Sequence, residues 1–166
     1  MMRSIIAQAA SSFVLLAVYA AAQTPPFNGE LLLEPGLNNG KCLTAASSSD
    51  GAVVTIQTCT GAAAQKWTFT GGSVKIFGNK CLDIMQGSTA NDALLQIWTC
   101  TSANQNQQFY YTRDNRLVWT NHGKCMDLPS GNQADGTRIQ LWGCSDGNVN
   151  QIWNTGYMAS SLPPTS

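Results

Sequence analysis

Two sets of side chains with the same residue types and the same spacing occur from residue 83 onward. Each set begins with an aspartate two positions after a cysteine, continues with the glutamine and tryptophan of a Gln-x-Trp triplet, and ends in an Asn-Gln pair. The interval between successive members is identical in the two sets. The sets are Asp83, Gln96, Trp98, Asn106 and Gln107, and Asp127, Gln140, Trp142, Asn150 and Gln151.

A carboxylate, carboxamides and an indole ring together suit a polyhydroxylated ligand such as a sugar. An aspartate accepts charge-assisted hydrogen bonds from hydroxyls, and these are stronger than bonds between neutral groups. A tryptophan offers a flat apolar surface to the C–H face of a sugar ring at a low cost in conformational entropy. We therefore predict that Asp83 and Asp127 anchor a ligand and that Trp98 and Trp142 stack on it. For the aspartates, the alternative is a structural role in capping a turn.

A degenerate copy of the same pattern precedes these two. Thr44 stands in the place of the aspartate, Thr55 in that of the glutamine, Gln57 in that of the tryptophan and Ala64 in that of the asparagine. Because the anchor and the platform are lost from the same copy, we predict sugar sites in the second and third copies and none in the first.

The three copies form a repeat. Their first cysteines, and the aromatic residues that close them, recur at intervals of about 40 residues, and a period of this size indicates a repeat architecture. The closing aromatics and the glutamines two positions before them persist in the degenerate copy, so we predict core packing for the aromatics and structural hydrogen bonds for the glutamines. The aromatics are Trp67, Phe109 and Trp153, and the glutamines are Gln65, Gln107 and Gln151.

Short extended segments joined by turns make up each repeat. Residues 31–33 are three leucines, which predict a buried strand. A Gly71-Gly72 pair between two extended runs predicts a β-hairpin, and Asp114-Asn115 marks a second one. The extended runs are 67–70 and 73–77, then 109–112 and 117–120, with further strands expected within 93–99 and 137–142. No convincing helical period with caps follows the leader, so we predict an all-β fold with about four strands per repeat and about twelve in all.

A secretory signal peptide is predicted at 1–22. Arg3 precedes an apolar run over 13–22, and the run ends in three alanines at a small-residue cleavage site. An uncleaved anchor is the alternative; no other apolar stretch approaches the ~20 residues that span a bilayer. We divide the remaining chain into a lead-in at 23–28, repeats at about 29–69, 70–111 and 112–157, and a short tail at 158–166. We expect a secreted, extracellular protein.

All six cysteines lie in the repeats, two in each. In a secreted chain an even number of cysteines predicts disulfides. The repeat symmetry selects the pairs Cys42–Cys59, Cys81–Cys100 and Cys125–Cys144. A zinc site is not expected because the cysteines form no C-x-x-C pair and His122 is the only histidine. We predict no metal and no cofactor.

The closing motifs resemble those of the ricin B-type lectin family and the related carbohydrate-binding modules of family 13. Three Gln-x-Trp-like triplets in register carry the resemblance, which covers about residues 29–157: Gln65-Lys66-Trp67, Gln107-Gln108-Phe109 and Gln151-Ile152-Trp153. The resemblance implies a β-trefoil, in which a six-stranded barrel is capped by three hairpins with pseudo-threefold symmetry. It implies that the aspartates accept from two vicinal hydroxyls, that the tryptophans stack, that the asparagines bond the same hydroxyls, and that the glutamines support the ligand or the aspartate. It also implies galactose-, N-acetylgalactosamine- or xylose-type ligands.

Other classes of function are not favoured by the composition. Basic and acidic residues number nine each, and losing Arg3 with the leader leaves eight basic residues, with no basic stripe for nucleic acid or an anionic membrane. A glycosidase needs two facing carboxylates, whereas Asp83 and Asp127 belong to different repeats. We therefore predict a non-catalytic lectin. The alternative is a β-trefoil protease inhibitor or other protein-binding module that acts through its surface loops.

Overall fold

A computed structural model describes residues 29–38 and 40–157. The predicted signal peptide (1–22), the lead-in and the tail lie outside these residues. No helix of the described residues is both long enough and apolar enough to cross a membrane.

Twelve short strands make up the described part of the chain, as predicted. They are β1 (Leu31–Pro35), β2 (Lys41–Ala45), β3 (Val54–Thr58), β4 (Thr68–Thr70), β5 (Ser73–Ile76), β6 (Lys80–Ile84), β7 (Leu95–Thr99), β8 (Phe109–Tyr111), β9 (Leu117–Trp119), β10 (Lys124–Asp127), β11 (Gln140–Gly143) and β12 (Trp153–Tyr157). Single 3-10 turns at Ala63–Gln65, Gln105–Gln107 and Val149–Gln151 precede β4, β8 and β12.

Two predicted hairpins are confirmed, because β4 pairs with β5 and β8 pairs with β9, both antiparallel. The first is closed by Gly71 and Gly72, whose φ angles are 56° and 78°. This left-handed backbone is accessible to glycine without steric cost, so the Gly-Gly pair allows the two-residue turn.

Six strands close into a barrel. The hairpins β4–β5 and β8–β9 and the antiparallel pair β1–β12 supply three of its contacts. Backbone bonds join these pairs: Leu31 N–H to Trp67 O at 2.9 Å, Phe109 N–H to Gly72 O at 2.7 Å, and Trp153 N–H to Asn115 O at 2.7 Å. The other six strands form the hairpins β2–β3, β6–β7 and β10–β11, each bridged to the next in a ring. This is the β-trefoil that the resemblance implies.

A polar contact that we call the inter-repeat clasp joins each cap hairpin to the next one around the ring, so that the third hairpin is joined to the first. Asp50 accepts from Lys80 Nζ at 2.6 Å and from the Thr99 backbone N–H at 2.6 Å. Asn91 and Asp135 occupy the same place in the other repeats and accept from Lys124 and Lys41 at 2.6 and 2.7 Å. The clasps hold the three hairpins, and hence any site on them, in fixed relative positions.

The predicted core aromatics are confirmed. Trp67, Phe109 and Trp153 are buried among the aliphatic side chains of all three repeats. The indole N–H groups of Trp67 and Trp153 donate to Leu43 O and Met126 O, so neither indole leaves a polar group stranded in the core. The three predicted disulfides are also confirmed, one in each repeat.

Candidate functional site

The cap hairpins bring the repeated side chains together. In the β6–β7 register Asp83 lies opposite Gln96, and in β10–β11 Asp127 lies opposite Gln140. Directly opposed residues of antiparallel strands project from the same face. Trp98 follows Gln96 by two positions on its strand, so its ring is on that face too. The aspartate and the glutamine of each repeat are therefore separated in the sequence by the residues of the one hairpin that brings them opposite each other.

Asp83 is held by three carboxamides. Gln96 Nε2 donates to its Oδ1 at 2.9 Å, while Gln107 Nε2 and Asn104 Nδ2 donate to its Oδ2 at 3.0 and 3.3 Å. The residue is only 4% exposed. A carboxylate offers about four acceptor positions, so at least one remains for a ligand hydroxyl.

Asp127 has a similar arrangement, with an equal contact from its glutamine and a slightly longer one from its asparagine. Gln140 Nε2 donates to its Oδ1 at 2.9 Å and Asn148 Nδ2 to its Oδ2 at 3.4 Å. Asp127 is 3% exposed. Both carboxylates therefore sit at the floor of a pocket in a fixed orientation.

An open pocket lies above each aspartate. We call them the second-repeat pocket and the third-repeat pocket. The tryptophans form one wall and are among the few exposed large apolar side chains of the described residues, Trp98 at 44% and Trp142 at 42%. Asn106 and Asn150 also line the pockets, and within the described part of the chain their carboxamides have no hydrogen-bond partner. Each pocket thus offers a charged acceptor, a free amide and a flat ring.

A tight turn forms another part of the wall of each pocket. Gln86 and Gly87 in the second repeat have φ angles of 57° and 64°, and Ser130 and Gly131 in the third have 51° and 66°. Two consecutive positive φ angles are characteristic of a type I′ turn. Gln86 and Ser130 are not glycine, so this backbone is strained, and such strain is concentrated at functional sites.

The glycines in these turns permit a close approach. A Cβ at Gly87 would lie 3.0 Å from Asn106 Oδ1, and one at Gly131 would lie 3.1 Å from Asn150 Oδ1. The turn therefore packs directly against the free carboxamide on the pocket wall.

Asn104 and Asn148 also line the pockets and were not predicted from the sequence. The Oδ1 of Asn104 accepts from the Asn106 backbone N–H at 3.0 Å, which caps the 3-10 turn and points Nδ2 at Asp83. Asn148 does the same for Asn150 at 3.1 Å. The sequence carried a signal, because Asn-x-Asn-Gln occurs at 104–107 and 148–151, whereas the degenerate repeat has Ala62 and Ala64.

Gln107 and Gln151 lie behind the aspartates. Both are completely buried, and each accepts a backbone N–H from the preceding loop, that of Thr101 at 2.9 Å or Ser145 at 3.0 Å. Neither lines the pocket of its repeat. The resemblance implies that a glutamine supports either the ligand or the aspartate. The positions of Gln107 and Gln151 are suited to support of the aspartate.

The first repeat lacks the equivalent groups. Thr44 Oγ1 accepts from Gln65 at 3.1 Å where an aspartate would stand, and Gln57 Nε2 lies 3.4 Å from Thr55 Oγ1 where the tryptophan ring would begin. No residue from 44 to 50 has a positive φ, so the strained turn is missing too. The polar contacts that remain in this repeat serve the fold.

Burial raises the pKa of the Asp83 and Asp127 carboxyls above the ordinary 3.8, although the surrounding amides partly oppose this. The two carboxylates of the inter-repeat clasps are shifted in the opposite direction, because the hydrogen bonds from Lys80 and Lys41 lower the pKa of Asp50 and Asp135. The pockets and the clasps therefore respond to acid in different pH ranges.

We expect ligand binding to be lost on acidification before the fold is. Asp83 and Asp127 gain protons, and lose their charge-assisted bonds, at a pH above 3.8. The pKa of each of these carboxyls is higher in the folded protein than in the unfolded chain. Their contribution to the stability of the fold is therefore fully present below the unfolded-state pKa and is lost as the pH rises through the folded-state pKa. Protonation of Asp83 and Asp127 in acid consequently does not destabilise the fold. The clasp carboxylates contribute stability above 3.8 that is lost only as the pH falls through their lowered pKa.

The measurement is a titration of ligand affinity and melting temperature from neutral pH to about pH 3. A reversible loss of binding with an unchanged melting temperature is expected first. Loss of binding only together with unfolding would contradict the assignment.

Asn148→Ala is expected to weaken the third-repeat pocket about tenfold, which corresponds to about 1.5 kcal/mol, the lower end of the range for one hydrogen bond to a charged group. The fold should tolerate the change, because Ala62 already precedes the equivalent 3-10 turn of the first repeat. Calorimetry in an Asp83→Asn background isolates this pocket. Val149→Ala is the matched control, since Val149 is exposed in the same turn and does not line the pocket; an equal loss in both variants would refute the role of Asn148.

Comparison with known proteins gives a consistent result. The sequence profile of the ricin-type beta-trefoil lectin domain matches residues 33–153. No curated protein matches the chain in sequence.

Among solved structures, similar chains include ThreeFoil, a designed threefold-symmetric protein (26% identity, TM-score 0.69, 79% of this chain and 100% of that one). A non-toxic homologue of type II RIPs from Momordica charantia (bitter gourd), in complex with α-methyl-D-galactoside, is 18% identical with a TM-score of 0.64, over 77% of this chain and 48% of that one. The C-half of the earthworm R-type lectin, in complex with GalNAc, is 16% identical with a TM-score of 0.62, over 77% of this chain and 98% of that one. At such identities the last two establish the fold alone.

Proposed function

The chain belongs to the ricin-type β-trefoil lectin family, and we propose from this premise that it is a secreted, non-catalytic lectin with one sugar site in each of its second and third repeats. The observation that carries the proposal is the combination found in both pockets. A nearly buried carboxylate keeps an open acceptor position beside a free carboxamide and an exposed tryptophan.

These groups match the two kinds of surface on a sugar. Asp83 or Asp127 accepts from a ring hydroxyl, Asn106 or Asn150 donates to the same hydroxyl or its neighbour, and the indole covers the C–H face. Because the amides around each aspartate are already placed, little reorganisation is required on binding.

Each pocket has the hydrogen-bonding groups and the aromatic ring that sugar binding requires, but among the described residues it lacks the pair of carboxylates that glycoside hydrolysis requires. Each is lined by one carboxylate, whereas glycoside hydrolysis uses a facing pair. A single water-exposed site of this kind supports affinities of about millimolar to sub-millimolar, roughly 4 to 5 kcal/mol. Simultaneous engagement of both sites by a branched glycan or a glycosylated surface would raise the avidity.

Galactose-type sugars and their N-acetylated derivatives are the first ligand class to test, with xylose-type sugars as a further class. The bitter gourd homologue was solved with α-methyl-D-galactoside and the earthworm lectin with GalNAc. The fold is shared with both.

The test is a glycan array probed with the purified protein whose disulfides are intact. Binding to a defined set of glycans, competed by the free monosaccharide, is the expected result. A blank array would reject the lectin proposal, and inhibition of a protease panel would then support the protein-binding alternative.

A further inference from the structure

The second-repeat and third-repeat pockets share their anchors and differ in one wall. The second-repeat pocket has a volume of about 490 Å³ and the third-repeat pocket about 180 Å³. The aspartate, glutamine, tryptophan and two asparagines are common to both linings. The difference lies in the type I′ turn.

In the second repeat the turn contributes two long side chains. Met85 and Gln86 both line the pocket. Gln86 is exposed, and the turn, in which its φ is 57°, sets the direction in which its side chain leaves the backbone. Among the described residues its amide has no hydrogen-bond partner, so both an N–H donor and a carbonyl acceptor are available at the lining of the pocket that Trp98 shares.

In the third repeat the same wall is short. Ser130 alone of the turn residues lines that pocket, in the conformation of Gln86 with a φ of 51°. Pro129 takes the place of Met85 and does not line the pocket. A ligand held by Asp127 and Trp142 therefore meets one hydroxyl at this wall and no apolar surface from the turn.

We propose that the two sites differ in specificity, the second-repeat pocket selecting a sugar that carries an N-acetyl group and the third-repeat pocket taking an unsubstituted sugar. This rests on the proposed lectin function and adds the identity of the ligand class to it. An acetamido group has one N–H donor, one carbonyl acceptor and one methyl group. The Gln86 amide complements the first two and the Met85 side chain gives the methyl group an apolar contact.

The test measures each site alone. Asp127→Asn leaves the second-repeat pocket intact and Asp83→Asn leaves the third-repeat pocket intact. Titration calorimetry with α-methyl-galactoside and with the α-methyl glycoside of N-acetylgalactosamine then compares the same sugar with and without the acetamido group. We expect the second-repeat pocket to prefer the acetamido sugar about fivefold, the effect of one added neutral hydrogen bond, and the third-repeat pocket to bind both within about twofold.

Exchange of the turn residues provides the second measurement. Gln86→Ser is compatible with the backbone, since serine has the same conformation at position 130, and it should remove the preference from the second-repeat pocket. Ser130→Gln should confer a preference on the third-repeat pocket.

Equal preferences in the two pockets, or preferences that do not change in the exchanged variants, would overturn the inference and leave the lectin function intact. If neither sugar binds the second-repeat pocket, the inference fails. The lectin proposal fails with it only if the unaltered protein is also blank on the array.

Discussion

Combined replacement of Asp83 and Asp127 by asparagine is expected to abolish glycan binding. Asparagine is close to aspartate in size, so the shape of each pocket is retained while the charge is lost. The new amide would also face the donors of Gln96 and Gln140, which lie 2.9 Å from the carboxylates. The ligand loses its charge-assisted hydrogen bond, and inside the protein one N–H donor comes to face another. We expect the affinity for the ligand to fall about 100-fold at each site, or roughly 3 kcal/mol.

Each single variant should halve the number of sites and leave the affinity of the other site unchanged. Calorimetric stoichiometry with a monovalent sugar distinguishes this from a general loss of affinity. Glu30→Gln is the charge-matched control, since Glu30 is exposed and lines neither pocket. Retention of binding by the double variant, with a normal melting temperature, would refute the role of the aspartates.

Trp153→Ala is expected to unfold the protein or nearly so, whereas Trp142→Ala should leave its stability unchanged. Trp153 is completely buried, and its indole N–H donates to Met126 O at 3.0 Å. Its truncation costs about 3–5 kcal/mol, a large part of the roughly 5–15 kcal/mol that stabilises an ordinary domain. Trp142 is 42% exposed, so truncation there falls within about 0.5 kcal/mol of neutral.

Thermal unfolding measures the stability of both variants, and titration calorimetry measures the effect of Trp142→Ala on ligand affinity. Trp142→Ala should weaken the third-repeat pocket about tenfold through the loss of ring contact. A melting temperature of Trp153→Ala within a few degrees of the unaltered protein would contradict its place in the core. The two variants compare the same side-chain truncation at two positions of one repeat.

Periodicity was sufficient to predict an all-β threefold repeat and most of the residues that line the two pockets, whereas the β-trefoil itself was implied by the resemblance to the ricin B-type lectin family. Residues that recur at one interval in two copies, such as Asp83 and Gln96, meet because they oppose each other in one hairpin, and local pairing of this kind is encoded in a short stretch of sequence. The degenerate copy separated the exposed Trp98 and Trp142 from the buried Trp67 and Trp153, since only the closing positions stayed aromatic in all three repeats.

The type I′ turns were not predicted, because neither glutamine nor serine favours a positive φ. The conformation of Gln86 depends on the packing of Asn106 over Gly87, a contact with the far end of the same repeat. The sequence did indicate that the second and third repeats contain a longer loop than the first, because the paired cysteines are 17 residues apart in the first repeat and 19 in the others. The two extra residues lie in the loops that contain the turns.

The clasps escaped prediction for a related reason. Asp50, Asn91 and Asp135 stand at matching places in the three copies, but their lysine partners belong to the next repeat around the ring, which for Asp135 is the first repeat. Sequence periodicity shows that a position recurs and does not show which residue of another copy it meets.

The pairing of β1 with β12 has a consequence for how the chain folds as it is synthesised. Leu31 lies opposite Tyr157, so the strand made first among those described pairs with the one made last. Each cap hairpin can form before the rest of the chain is complete, and its disulfide, which joins cysteines only 17 or 19 positions apart, can follow once that repeat is in an oxidising compartment. The barrel itself cannot close until Trp153–Tyr157 has emerged, and until then β1 has an open edge able to pair with another nascent chain. Translation speed over the third repeat should therefore affect the yield of native protein more than translation speed over the first.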